Sequence, residues 1–225
     1  MHAYGPGARF FNAPTAAALC CLLAILTAGA SPAAAAPLRV LTFGDSLSAG
    51  YGVQPEEGFA PRLEQALRQA GLDVVVTDAS VSGDTTAGGV NRLDWALAAF
   101  GTEKPDLVIV ELGANDMLRG LEPAEPRANL DRILSRLAAE GVPALLAGMR
   151  AAPNLGPDYQ ARFDAIYGDL AKAHKVALHP FFMAAVVGRP ELMQADMLHP
   201  NPKGVDAIVA EVLPSVTRAL GKTSP

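Results

Sequence analysis

From Leu38 onward, short runs of aliphatic and β-branched residues alternate with longer stretches in which apolar positions recur every three or four residues. The short runs, Leu38 to Phe43, Asp73 to Asp78, Asp106 to Leu112, Val142 to Ala147 and Val176 to Leu178, predict strands. The longer stretches, Phe59 to Ala70, Ala87 to Phe100, Glu125 to Glu140 and Asp158 to Ala173, predict helices with one buried face. Gly71 and Gly141 supply helix stops, and Asn201-Pro202 supplies an N-cap and a first-turn proline for a last helix reaching about Leu220. Leu107-Val108-Ile109-Val110 is apolar on both faces, so its sheet needs cover on both sides. Strictly alternating strands and helices with right-handed crossovers then predict a three-layer α/β/α sandwich around a five-stranded parallel sheet.

The first 38 residues break this pattern. No charge occurs between Arg9 and Arg39, an apolar centre spans Ala16 to Ile25, and Thr27, Gly29, Ser31 and Pro32 follow it. That layout predicts a signal peptide over residues 1–36, cleaved after Ala30 or within Ala33 to Ala36, ahead of one domain over 37–225. An uncleaved membrane anchor is the alternative, since the charge-free run is long enough to cross a bilayer. Against it, the strictly apolar part is short and is bracketed by Pro14, Gly29 and Pro32. After cleavage no integral membrane segment is expected.

Composition narrows the classes further. Half of the 225 residues are apolar and 18% are charged, which excludes intrinsic disorder. The 18 basic and 23 acidic residues give a net of −5, so no general attraction for nucleic acid is expected. Losing residues 1–36 removes Arg9, His2 and the adjacent Cys20 and Cys21, leaving 17 basic and 23 acidic residues, a net of −6, and no thiol. A cysteine nucleophile, a thiolate metal site and a disulfide framework are excluded together.

Polar clusters fall just after the predicted strands, where parallel α/β sheets gather their working groups. They are Gly44 to Gly52, Ser80 to Thr86, Gly113 to Asp116 and, ahead of the last helix, Asp196 to Asn201. Each alone reads as a turn or a helix cap. Of the three histidines left after export, His174 lies beside Lys172 and Lys175 at a solvated helix end, and His179 precedes Pro180 as a rival candidate. His199 is favoured because Asp196, three residues earlier, can fold back to one ring nitrogen and leave the other for a nucleophile. A serine hydroxyl attacks only when a base takes its proton and a third group orients that base. Ser46, His199 and Asp196 fit those roles. Acyl transfer also needs donors where the carbonyl oxygen becomes negative; the backbone N–H groups of Ser46 and Gly83 and the Asn115 amide are available.

Gly44-Asp45-Ser46-Leu47, the glycine of Ser82-Gly83-Asp84, Gly113-x-Asn115-Asp116 and Asp196-x-x-His199-Pro200 resemble, in order and placement, the four signature blocks of the SGNH, or GDSL, hydrolases. The resemblance covers residues 38–220 and is closest to the bacterial periplasmic thioesterase, lysophospholipase and arylesterase branch. It implies a flavodoxin-like fold, Ser46 as nucleophile with Asp196 and His199, and an oxyanion hole of Ser46, Gly83 and Asn115. It also implies a periplasmic or secreted monomer that uses no cofactor or metal and hydrolyses small-molecule esters or thioesters, lysophospholipids among them. Ala114 stands where the family often has a second glycine. Met117, Leu118 and Leu121 on one loop and Met149 to Tyr159 on another are expected to border an apolar acyl groove. Alternatives at this point are a carbohydrate O-acetyl esterase of the same superfamily, a phosphoryl hydrolase with metal on Asp45, Asp116 and Asp196, and a binding module without catalysis.

Overall fold

The computed structural model describes residues 36–221 together with 1–3, 5 and 7, so the export segment expected over residues 1–36 lies essentially outside the described residues. The strands are β1 (Leu38–Gly44), β2 (Val74–Asp78), β3 (Leu107–Glu111), β4 (Ala144–Ala147) and β5 (Ala177–His179). The helices are α1 (Phe59–Gln69), α2 (Thr86–Ala98), α3 (Ala114–Leu118), α4 (Ala124–Ala139), α5 (Pro157–His174) and α6 (Pro202–Ala219). All five strands are parallel, in the order β2-β1-β3-β4-β5. Helix α1 packs on α6 over one face, while α2, α4 and α5 pack in series over the other. This is the expected three-layer sandwich.

Every residue of β3 and β4 is buried, as strands covered on both faces require. The core is closed by Phe43, Phe59, Phe163, Tyr167 and Phe182, with Phe59 edge-on to Phe182 at 5.0 Å. Tyr167 keeps its hydroxyl satisfied by donating to the Leu112 carbonyl at 3.0 Å, just past the end of β3. The last helix starts as its sequence requires: Asn201 Oδ1 accepts from Gly204 N at 3.1 Å, with Pro202 as first helical residue.

Most element ends fall within one or two residues of expectation, and three differences stand out. Strand β4 begins at Ala144 rather than Val142, because Pro143 has no N–H to give to the ladder. Strand β5 runs one residue later than expected. Between β3 and α4 an extra helix, α3, occupies what was expected to be a loop; five residues are too few to show helical periodicity.

Candidate active site

The site starts from a close approach of two strand ends. Gly44 of β1 pairs with Glu111 of β3. A Cβ on Gly44 would sit 2.6 Å from Glu111 Oε2 and 2.8 Å from its carbonyl oxygen, so only glycine lets the strands meet there. The next residue, Asp45, folds its carboxylate back to accept from Leu47 N at 3.0 Å, an Asx-type turn that carries Ser46 out past the sheet.

His199 reaches that serine from the loop between a 3₁₀ turn (Pro190–Leu192) and α6. The loop is pinned on itself: Gln194 N donates to the His199 carbonyl at 2.8 Å, and Gln194 Nε2 donates to the carbonyls of Pro200 at 2.9 Å and Tyr51 at 2.7 Å. Met197 takes a left-handed backbone (φ 58°), a conformation costing roughly 1 kcal/mol for a residue with a side chain. That turn lets Asp196 Oδ1 accept from the N–H groups of Leu198 and His199, both at 3.0 Å. Asp196 Oδ2 accepts from His199 Nδ1 at 2.6 Å, and Ser46 Oγ donates to His199 Nε2 at 2.9 Å. The His199 hydrogen bond, then the two backbone donors, pull the Asp196 carboxyl down to about 2. It therefore stays ionised and fixes Nδ1 as the protonated nitrogen. The Tyr51 ring packs 4.5 Å from the imidazole.

Around Ser46 the expected donors are unspent. Among the described residues, neither Ser46 N nor Gly83 N has a hydrogen-bond acceptor. Gly83 sits at φ +81°, where glycine alone is unstrained. Asn115 Nδ2 gives one N–H to Asp45 Oδ2 at 3.0 Å and keeps its second for another acceptor. Asp116 accepts from Thr86 N at 2.9 Å and Thr86 Oγ1 at 2.6 Å, tying the start of α2 to the turn after β3. Ala114 opens α3 with ordinary backbone angles, so the missing second glycine leaves no strain.

Two residues were not singled out in the sequence. Arg92 on α2 bonds Asp84 at 2.5 Å and the Gly44 carbonyl at 2.9 Å, with its guanidinium 4.0 Å from the Phe43 ring centroid, joining the first two polar clusters. Glu111 is wholly buried behind the Ser46 turn, its Oε2 accepting from Ser48 Oγ at 2.8 Å and its Oε1 without a partner among the described residues. Burial, then the charge of Asp45, push the Glu111 carboxyl well above the usual range. Burial likewise raises Asp45 to about 6, against the hydrogen bonds from Leu47 and Asn115. Neither residue carried a spacing signal; Glu111 reads as one polar residue closing an apolar strand.

The rival histidines lie elsewhere. His174 pairs with Asp131 at 2.7 Å, and His179 is buried with Nε2 donating to the Phe181 carbonyl at 3.1 Å. Burial lowers the His179 pKa. Asp45, Asp116 and Asp196 bind separate partners, and no three His, Cys, Asp or Glu side chains among the described residues gather as a metal-ligand group.

A groove of about 520 Å³ runs from Ser46, Asn115 and His199 along apolar walls. Met117 and Leu118 line it, as do Met149 and Arg150 of the second expected loop. Leu121 does not: its carbonyl accepts from Tyr159 Oη at 2.8 Å, away from the groove. Residues 151–159 turn off into another 3₁₀ turn (Pro153–Leu155) and the start of α5. The facing wall comes instead from the segment 181–198, with Phe181, Met183, Val186 and Met193. Irregular backbone gave that segment no readable period. All five methionines after Met1 (117, 149, 183, 193 and 197) line this groove.

A parallel α/β/α sandwich with a serine, histidine and aspartate gathered past its strand ends has the form of an SGNH esterase. Residues 42–207 match the GDSL-like lipase/acylhydrolase family, and the chain belongs to that family. It is 42% identical to Esterase TesA of Pseudomonas aeruginosa over 182 residues, 81% of this chain and 89% of that protein. It is also 42% identical to thioesterase 1/protease 1/lysophospholipase L1 of Escherichia coli K12 over 168 residues, 75% and 78% of the two chains. The crystal structure of the psychrotrophic esterase EstA from Pseudoalteromonas sp., inhibited by monoethylphosphonate, superposes with a TM-score of 0.76 at 35% identity, covering 82% of this chain and 99% of that one. The protein is accordingly an enzyme, a serine hydrolase of the esterase class.

Proposed function

We propose that the protein is an exported esterase that cleaves carboxylic esters and thioesters of aryl, short-chain and longer acyl groups, lysophospholipids included, through Ser46, His199 and Asp196. The observation that carries this reading is the unbroken chain from Ser46 Oγ to His199 Nε2 at 2.9 Å and from His199 Nδ1 to Asp196 Oδ2 at 2.6 Å. His199 takes the hydroxyl proton as Ser46 Oγ bonds to the acyl carbon, and the imidazolium formed is steadied by the ionised Asp196. The carbonyl oxygen, now negative, is met by the N–H groups of Ser46 and Gly83 and by the second N–H of Asn115. His199 then returns the proton to the departing alcohol or thiol. A water, deprotonated by the same nitrogen, cleaves the acyl-enzyme and restores the serine.

The apolar groove favours acyl chains over sugars. The names of the relatives, esterase and thioesterase/lysophospholipase, and the phosphonate inhibition of EstA support the substrate range and the serine chemistry. No described helix is long and apolar enough to cross a membrane. The leader expected over residues 1–36 supports export to the periplasm or beyond the cell, where we propose that the enzyme works as a monomer. Fluorophosphonate labelling with peptide mapping, and hydrolysis of p-nitrophenyl esters from C2 to C12, acyl-CoA and lysophosphatidylcholine, test the reading. Label should fall on Ser46, and Ser46→Ala should lose on the order of 10⁵-fold or more in kcat. Full turnover by Ser46→Ala would refute it.

A further inference from the structure

The groove walls are largely apolar. Apart from the triad histidine and the buried, hydrogen-bonded Asp45, the ionisable side chains that line it are Arg150 and Arg189. Arg150 follows β4, is exposed, and has neither a hydrogen bond nor an ion pair among the described residues; its guanidinium lies 5.2 Å from the Phe181 ring centroid. It also borders a shallower pocket that includes Glu211, without pairing with it. Arg189, on the opposite wall, pairs at 3.1 Å with Glu191, both side chains more than half exposed, so the pair is weak and open to competition. In a chain of net −5, an unpaired guanidinium over an aromatic ring in the wall of an oily groove presents its donors to whatever occupies that groove.

We infer that Arg150, seconded by Arg189, forms an anion subsite in the wall of the groove, and that the enzyme favours amphiphilic esters bearing a carboxylate or phosphate at a set distance from the reacting carbonyl. This rests on the esterase reading above. The spacing follows from the sheet. Ser46 lies just past β1 and Arg150 just past β4, strands that flank β3, so their ends are two inter-strand steps apart, roughly 10 Å. An extended chain advances about 1.2 Å per bond, so about eight bonds separate the carbonyl from the anion. A nine-carbon dicarboxylic half-ester meets that requirement. A lysophospholipid whose phosphate, rather than its acyl tail, lies along the groove has about six bonds from the ester carbonyl to phosphorus, and the long, flexible arginine side chain covers the remainder. A planar guanidinium suits carboxylate and phosphate alike.

Two substrate pairs distinguish the sources. p-Nitrophenyl hemi-azelate against p-nitrophenyl nonanoate places the anion on the acyl side; lysophosphatidylglycerol against lysophosphatidylcholine places net charge on the alcohol side. In Arg150→Gln the anionic-to-neutral ratio of kcat/KM should fall roughly five-fold for at least one pair, the size of a partly exposed ion pair. Arg150→Lys should restore part of it. Glu191→Gln, which frees Arg189, should raise the same ratio. A fall confined to the first pair assigns the anion to the acyl chain, and one confined to the second assigns it to the headgroup. Ratios unchanged in both Arg150→Gln and Glu191→Gln overturn the proposal. Calorimetry on Ser46→Ala with monomethyl azelate and methyl nonanoate reads the subsite without turnover. Tighter binding of the anionic ester that depends on Arg150 sustains the subsite even if the esterase reading fails, and equal binding removes it.

Discussion

Replacing Glu111 by glutamine tests whether a carboxylic acid buried behind the Ser46 turn keeps its proton. Glu111 is inaccessible to solvent, faces Asp45, and uses one oxygen for Ser48 and, at 3.4 Å, for the N–H of Asp45. Its carboxyl is held well above the ordinary 4.5. In the unfolded chain the proton leaves near that ordinary value, while the folded protein keeps it, so the folded state binds more protons. Stability is then fully present below about pH 4.5 and falls by about 1.4 kcal/mol per pH unit as pH rises toward the folded value. Asp45, raised from 3.8 to about 6, adds a further loss of about 3 kcal/mol that is complete by about pH 6. Glutamine mimics the neutral acid but brings one extra N–H without an acceptor, a penalty of roughly 1 kcal/mol. Urea unfolding should therefore show Glu111→Gln about 1 kcal/mol less stable than wild type at about pH 3.5, below the ordinary carboxyl value, and more stable at about pH 8. Equal destabilisation at both pH values would mean that Glu111 is ionised in the fold, and the reasoning would fail.

Other outcomes follow from the same geometry. Asn115→Ala removes a side-chain donor to the oxyanion and should lower kcat 10²- to 10³-fold with little change in KM; an equal rise in KM would point instead to ground-state binding. Asp196→Asn, which reverses the imidazole tautomer, should lower kcat about 10⁴-fold, measured with a C4 p-nitrophenyl ester. Because wild-type Asp196 is held near 2, the acid limb of the pH–rate profile should lie well above that value; a limb near pH 2 would contradict this assignment. Leu118→Ala should weaken kcat/KM for C8 to C12 esters roughly five-fold relative to C2, whereas Leu121→Ala should leave the chain-length profile intact.

Much of this was legible from residue order. Strands such as β1 and β3 declare themselves by continuous apolar runs, and the alternation with amphipathic stretches fixes a parallel sheet once both faces must be covered. Ser46, Gly83 and Asn115 were readable because they sit beside glycines just past strand ends, and the Asp196-x-x-His199 pair because it precedes Pro200 and the cap of the last helix, where punctuation is strong. The second groove wall was not. Residues 181–198 form turns and a 3₁₀ segment, held by bonds such as Asn201 Nδ2 to the Glu191 carbonyl at 2.9 Å, and such backbone has no period to detect. Leu121 was misplaced for a related reason: α3 turns the chain, so Leu118 lines the groove while the Leu121 carbonyl is held by the Tyr159 hydroxyl outside it. Arg92 and Glu111 were given no role because contacts that tie them to the Ser46 turn are distant in sequence, 48 residues to the Gly44 carbonyl and 63 to Ser48.

The methionine lining has a chemical consequence beyond fit. Residues 36–221 contain no cysteine, so every sulfur atom in that span belongs to a side chain of the acyl groove. Thioethers fill irregular space well and adapt to chains of different shape. They are also the groups that peroxide attacks first in a thiol-free protein, each gaining a polar oxygen where the substrate tail should lie. Met197, more than half exposed at the mouth, is the most accessible of the five, and Met149 and Met183 are almost wholly covered. Oxidative wear in this enzyme would thus begin at the groove entrance and erode the grip on long chains, while Ser46, His199 and Asp196, which hold no sulfur, keep their hydrogen bonds.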